Sequence, residues 1–233
     1  MLNAIVFNDE ITLFWDRTSS YIKGDKYKVE INGETFYAEK THFELYNLKS
    51  EKEFLVKVTL IGADGNEKEE IGQKSYKTTK TKNKIDVTKP PYNAVGDGKT
   101  YNREALQKAF DDCTENDYIY IPKGVYITGG LRLHSNSELY VEKGATIQGT
   151  ADHKDYLPKI WSRFEGTELE CYQSLINMGN LDRNGGYNCQ NVIIRGGGTI
   201  KGGGGALRKD IIDTELVLLK DYMQSFLNLN FLH

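Results

Sequence analysis

Residues 119–129 read IYIPKGVYITG, residues 139–149 read LYVEKGATIQG, and residues 192–202 read VIIRGGGTIKG. Laid over one another without gaps, the three runs agree at five positions. Positions one and three are aliphatic (Ile119 and Ile121, Leu139 and Val141, Val192 and Ile194), and position six is glycine (Gly124, Gly144, Gly197). Position nine is isoleucine (Ile127, Ile147, Ile200) and position eleven is glycine again (Gly129, Gly149, Gly202). Aliphatic residues at i and i+2 face one side of a strand, a glycine then lets the chain turn, and an inward isoleucine opens a second short strand. Such a unit cannot bury its apolar face alone and must stack on a copy of itself. The step from residue 119 to residue 139 is about one coil of a right-handed parallel β-helix. The longer gap before the third copy has room for one more coil, through SLINM (174–178), and for a surface excursion.

The third copy sits in VIIRGGGTIKGGGG (192–205), whose glycines invite a nucleotide-binding reading. Spacing excludes it. A P-loop needs Lys and Ser or Thr after its second glycine, where Gly203 and Gly204 follow Gly202. The dinucleotide fingerprint that starts at Gly196 needs glycine where Lys201 stands.

Upstream, residues 1–80 follow a different pattern. ITLFWD (11–16), YKVEI (27–31), HFELYNL (42–48) and FLVKVTLIG (54–62) alternate apolar and polar, as half-buried antiparallel strands do. Asn32-Gly33 and Asp64-Gly65 predict tight hairpins of type I′. About seven short strands of this kind predict a β-sandwich. Residues 81–95, with Pro90-Pro91, read as a linker. NREALQKAFDDC (102–113) then places Ala105, Leu106, Ala109, Phe110 and Cys113 on one helical face, with Asn102 positioned to cap it. The acid pair Asp111 and Asp112 falls in the last turns of that helix and reads as a solvated face.

The composition bounds the function classes. Thirty basic against 33 acidic residues give a net charge of -3, with no basic stripe for nucleic acid. Three cysteines without C-x-x-C spacing, Cys113, Cys171 and Cys189, argue against a disulfide framework or a zinc site and read as idle thiols. Asp9 and Glu10 interrupt the N-terminal apolar run before it reaches signal-peptide length, and the uncharged end YMQSFLNLNFLH (222–233) is too short to span a bilayer. On these grounds the chain is expected to be cytoplasmic, with no membrane partner.

Two resemblances sharpen this reading. With Trp15, THFELYNLKSEKEFLVKVTLIGADGNE (41–67) and KSYKT (74–78), residues 1–80 resemble a fibronectin type III domain. That family usually has tyrosine where Phe54 stands, so a corner held by packing alone is expected. Residues 96–150 resemble the start of the pectin-degrading β-helix superfamily, which also includes pectate lyases and phage tail proteins, with the helix as a lid. DYLPKIWSRFEGTELECYQSLIN (155–177) with GYNCQNVIIRGGGTIKGGGGAL (186–207) narrows the resemblance to the polygalacturonases. Among these it resembles in particular the bacterial forms that carry an N-terminal fibronectin domain and release sugar units from chain ends.

The resemblance implies an all-β fold, a fibronectin type III β-sandwich (1–80) followed by the first coils of a right-handed parallel β-helix with an N-terminal capping helix (96–233). It implies hydrolysis of α-1,4-linked galacturonate with inversion by a monomer, needing no cofactor or metal. Inversion requires two carboxyl groups roughly 6.5 to 9.5 Å apart. The family supplies them from Asn-Thr-Asp and Asp-Asp motifs, with Gly-His-Gly and Arg-Ile-Lys beyond. None of these motifs occurs in that context here, so no catalytic residue is assigned and residues 96–233 are expected to be a truncated, inactive part of such an enzyme. In place of a further coil, ALRKDIIDTELVLLKDYMQSFLNLNFLH (206–233) reads as a helix to about Tyr222 and an apolar tail, the kind of scar a premature stop or a shifted frame leaves. The helix is expected to cover the open end of the coil, or else the isolated chain to aggregate. In the excursion, Trp161, Arg163 and Glu165 are the candidate sugar contacts, Arg because its fork binds a uronate carboxylate. The alternative is that Trp161 packs the excursion onto the helix and Arg163 pairs with Glu165 or Glu168. A non-catalytic binding module for acidic polysaccharide, or a structural β-helix, is the alternative function.

Overall fold

The computed structural model describes residues 1–164, 167–180 and 188–214, which fall into two compact units, 1–82 and 83–233. The first holds seven strands: β1 (Asn3–Val6), β2 (Ile11–Phe14), β3 (Lys26–Ile31), β4 (Glu34–Ala38), β5 (His42–Leu45), β6 (Glu53–Ile61) and β7 (Glu67–Lys77). They form antiparallel sheets of order β1-β2-β5 and β4-β3-β6-β7. The period-two alternation explains the core. Ile11 and Leu13 from one sheet meet Tyr27, Val29, Val56, Val58 and Leu60 from the other, all fully buried. Trp15 stands edge-on to Tyr27 at 5.1 Å between ring centres.

Three local expectations meet different outcomes. Asn32 and Gly33 both have positive φ (48° and 90°) and join Ile31 directly to Glu34, as a type I′ turn requires. At Asp64-Gly65 only Gly65 is left-handed, and Gly62 bonds through its N–H to Asn66 O at 2.8 Å, so a longer loop replaces the tight hairpin. The corner near Phe54 is not held by packing alone. The buried Thr78 hydroxyl donates to Lys49 O at 2.7 Å and accepts from Lys52 N at 2.9 Å, tying the loop before β6 to the end of β7.

The second unit begins where a linker was expected. β8 (Asn83–Asp86) pairs in parallel with β10 (Asp117–Ile121), and β9 (Asp97–Tyr101) with β11 (Gly124–Thr128), so residues 83–101 already form a first coil. α1 (Arg103–Asp112) follows and buries Leu106, Ala109 and Phe110 in the coil's core beside Val87, Ile119 and Leu131. Asn102 stands at its start without capping it. Its side-chain amide is instead used on both backbone groups of Val95, at 2.7 and 3.0 Å. Gln107 does the same for β12 (Leu131–Leu133), accepting from Arg132 N at 2.9 Å and donating to Arg132 O at 3.1 Å, so a helical side chain covers that strand's edge.

The next coil is β13 (Glu138–Val141) and β14 (Ala145–Gly149), then an excursion with β15 (Ile160–Phe164) and β16 (Thr167–Cys171), then β17 (Ile176–Met178). β18 (Ile193–Arg195) and β19 (Thr199–Lys201) stack last, giving parallel sheets β18-β13-β10-β8, β19-β14-β11-β9 and β12-β17. SLINM therefore makes the third face of an existing coil, not an additional coil.

The all-β class and the parallel coil are as expected, but the eleven-residue register is not kept. Ile119 pairs with Leu139, whereas Leu139 pairs with Ile194 and not Val192. A slip of two leaves the same side chains facing inward. In the second sheet Tyr126, not Ile127, pairs with Ile147 and is buried, and Ile127 lies opposite Gln148. Turn lengths vary between copies, and the inward sequence through this sheet is Tyr126, Ile147, Ile200. A helix over 204–214 ends the described chain; the rest of the expected helix and the tail lie outside the described residues. It does not bury the last coil's inward residues, since Ile194 and Ile200 are 43% and 40% exposed.

Candidate functional site

The excursion leaves the coil after Gly149 and is anchored at its feet. Asp152 accepts from Lys154 N at 2.8 Å and opens a short 3-10 turn, His153–Tyr156. Tyr156 is fully buried and donates its hydroxyl to Thr150 O at 2.9 Å. At the return, Gln173 donates its backbone N–H to Tyr156 O at 3.0 Å and its side-chain amide to Pro158 O at 3.0 Å. Between these feet β15 and β16 form an antiparallel ribbon that places Trp161 opposite Glu170 and Arg163 opposite Glu168.

The ribbon and the third face of the coil enclose an open cleft of about 550 Å³. Trp161 and Arg163, two residues apart on β15, both line it, and Asn177, Met178 and Asn180 form the opposite wall. Trp161 is 53% exposed and Arg163 pairs with Glu168 (Nη2 to Oε1, 2.9 Å). The pairing alternative is thus realised for Arg163, and both side chains nonetheless border the same space. Glu165 lies outside the described residues.

The opposite wall is rigid because its polar groups are committed. Buried Asn177 donates to Leu131 O at 3.0 Å and Ser174 O at 2.7 Å and accepts from Ser174 N at 2.9 Å. Arg132 donates to Gly179 O at 2.6 Å and to Asn180 Oδ1 at 3.2 Å. Neither Asn177 nor Arg132 stood out in the sequence. The alternation Leu131-Arg132-Leu133 marks Arg132 as outward, but its pairing to a loop 47 residues on has no local signature.

A second polar cluster joins Asp152, His153 and Asp210, with one ligand-type atom from each within 4.8 Å of the others. Asp210 Oδ2 accepts both the backbone N–H of His153 at 2.9 Å and its Nδ1 at 2.7 Å. These bonds from His153 hold the Asp210 carboxyl below its ordinary range. The donors are spent on each other, and the arrangement works as a tether from the helix over 204–214 to the foot of the excursion. Asp111 and Asp112 are likewise occupied on α1. Asp111 accepts from Gln107 and lies 2.8 Å from His134, and Asp112 pairs with Lys108 at 3.0 Å. Cys113, Cys171 and Cys189 form no disulfide among the described residues. No helix among the described residues is long and apolar enough to cross a membrane.

No family model matches the chain. Individual proteins do. The chain is 31% identical over 178 residues, 76% of its length, to an exo-poly-alpha-D-galacturonosidase of Dickeya chrysanthemi, and 30% identical over 125 residues to a probable polygalacturonase of Vitis vinifera. It spans only 29% and 24% of the lengths of these relatives. In fold it is similar to the family 28 exopolygalacturonase of Yersinia enterocolitica, with a TM-score of 0.74 at 24% identity over 86% of this chain and 40% of that one. Taken with the stacked coils and the ribbon-walled cleft, these similarities make the chain a polygalacturonase-like protein.

Proposed function

We propose that the chain serves the hydrolysis of α-1,4-linked galacturonate, in an exo-acting enzyme of the polygalacturonase type, by supplying one wall of the sugar site. The observation that carries this reading is the pairing of an exposed indole and a guanidinium on one face of β15, both bordering the cleft. A pyranose ring stacks on an aromatic face, and a guanidinium takes a carboxylate in two parallel hydrogen bonds, which together select a uronate over a neutral sugar. The 233 residues hold no Asn-Thr-Asp motif, and their one Asp-Asp pair is bound up on α1. The acid and base of an inverting hydrolysis therefore have no assignment in this chain, and binding without cleavage is the expected behaviour.

Calorimetry with trigalacturonate tests this. Saturable binding is expected, and Arg163→Ala should weaken it about tenfold or more, the 1.4 kcal/mol that one charge-assisted contact supplies. Binding unaffected by the substitution, or reducing-sugar release from polygalacturonate above a buffer control, contradicts the reading.

A further inference from the structure

Arg163, which lines the cleft, is paired with an acid where a site for polyanions would be expected to exclude one. Arg163 and Glu168 are direct cross-strand neighbours, on the same face as Trp161 and Glu170. Their side chains are 59% and 25% exposed, and Arg163 meets Glu168 through Nη2 and Oε1 at 2.9 Å. An ion pair so exposed contributes little to stability, because water competes for both partners. Replacing it by another carboxylate therefore costs little.

We propose that Glu168 is an internal competitor for the substrate carboxylate and limits how strongly the cleft prefers a uronate over a neutral sugar. This rests on the sugar-site reading of Trp161 and Arg163. Without ligand, Glu168 occupies the guanidinium. A uronate enters by exchange, its carboxylate taking the place of the Glu168 carboxylate, with no covalent bond made or broken and no net change in the number of ion pairs. A neutral sugar has nothing to exchange, so it gains only the stacking contact. Competition from Glu168 therefore weakens uronate binding alone and narrows the preference for uronates that Arg163 supplies.

The test compares affinities of wild type, Glu168→Gln, Glu170→Gln and Arg163→Ala for trigalacturonate and for its neutral counterpart, galactotriose. Glu170→Gln removes the same charge from the same face, opposite Trp161 rather than Arg163. Glu168→Gln should bind trigalacturonate about tenfold tighter with little change for galactotriose, Glu170→Gln should give a clearly smaller gain, and Glu168→Asp should stay near wild type. In an Arg163→Ala background the Glu168→Gln gain should vanish. Equal gains from Glu168→Gln and Glu170→Gln would overturn the proposal in favour of a general field effect. Weaker or unchanged binding by Glu168→Gln, with Arg163→Ala still weakening it, would make Glu168 a positioning residue and overturn the competitor role while leaving the site reading intact. No effect of Arg163→Ala would overturn both. Unchanged unfolding midpoints across the set establish that the ribbon is folded in each variant.

Discussion

Gly196 shows what a single residue decides in this chain. It has φ +105° in the turn between β18 and β19, and a Cβ there would run into the carbonyl of Val141 in the coil below. Two costs coincide: a backbone region that L-residues avoid by roughly 1–2 kcal/mol, and a collision that no rotamer relieves. Gly202 lies in the same glycine-rich run with open space around its Cβ position and no positive φ. Gly196→Ala should therefore lower stability by about 2 kcal/mol or more in urea unfolding, while Gly202→Ala should change it by less than about 1 kcal/mol. The sequence marked this run as a turn, but placed the turn glycine at 197. Three consecutive glycines, Gly196 to Gly198, are candidates for the bend, and what separates them is the contact each makes with Val141, Glu142 and Lys143 rather than composition.

Elements were legible where one face of a strand or helix is buried and obscure where the chain is held by polar side chains. Period-two alternation located β2, β3 and β6, and the helical period located α1 with its buried Leu106, Ala109 and Phe110. The first coil was read as a linker because Pro90, Pro91 and Gly96 to Gly98 dominate residues 81–100. Its signal was nevertheless present: Ile85 and Val87 stand at i and i+2, Ile85 pairs with Ile119, and Val87 is fully buried. The register slips were not legible: a slip of two, as between β13 and β18, preserves the inward pattern that the sequence displays, and the slip of one that turns Tyr126 rather than Ile127 inward exchanges one apolar residue for another. Nor was the role of Thr78, which holds the loop before β6 from just past the end of β7, 24 residues on from Phe54. Thr78→Val keeps the shape but removes these bonds at a buried position. It should cost about 1–3 kcal/mol of stability, with the unfolding transition of the first unit moving to lower denaturant.

For the molecule as a whole, the decisive contrast lies between successive coils. Leu139, Ile147 and Leu133 are buried, at most 1% exposed, whereas Ile194, Ile200 and Met178, which pair in parallel beside them, are 43%, 40% and 51% exposed. β17, β18 and β19 each end a sheet, so their outer backbone edges lack a strand neighbour among the described residues. An apolar patch bordered by open strand edges favours association. The monomer expected from the sequence should accordingly give way to concentration-dependent association, visible by light scattering at tens of micromolar. The double variant Ile194→Lys, Ile200→Lys should suppress it, and an unchanged monomeric mass for wild type at all concentrations would show that this end is protected.

The site reading depends on Trp161 touching sugar, and the two tryptophans make that directly observable. Trp15 is 4% exposed in the core of the first unit and Trp161 is 53% exposed on the cleft. Titration of trigalacturonate into the Trp15→Phe variant isolates the emission of Trp161. A saturable change in that emission, lost in Arg163→Ala at the same ligand concentrations, is the predicted result; emission that stays constant while calorimetry reports binding would place the sugar elsewhere and contradict the account.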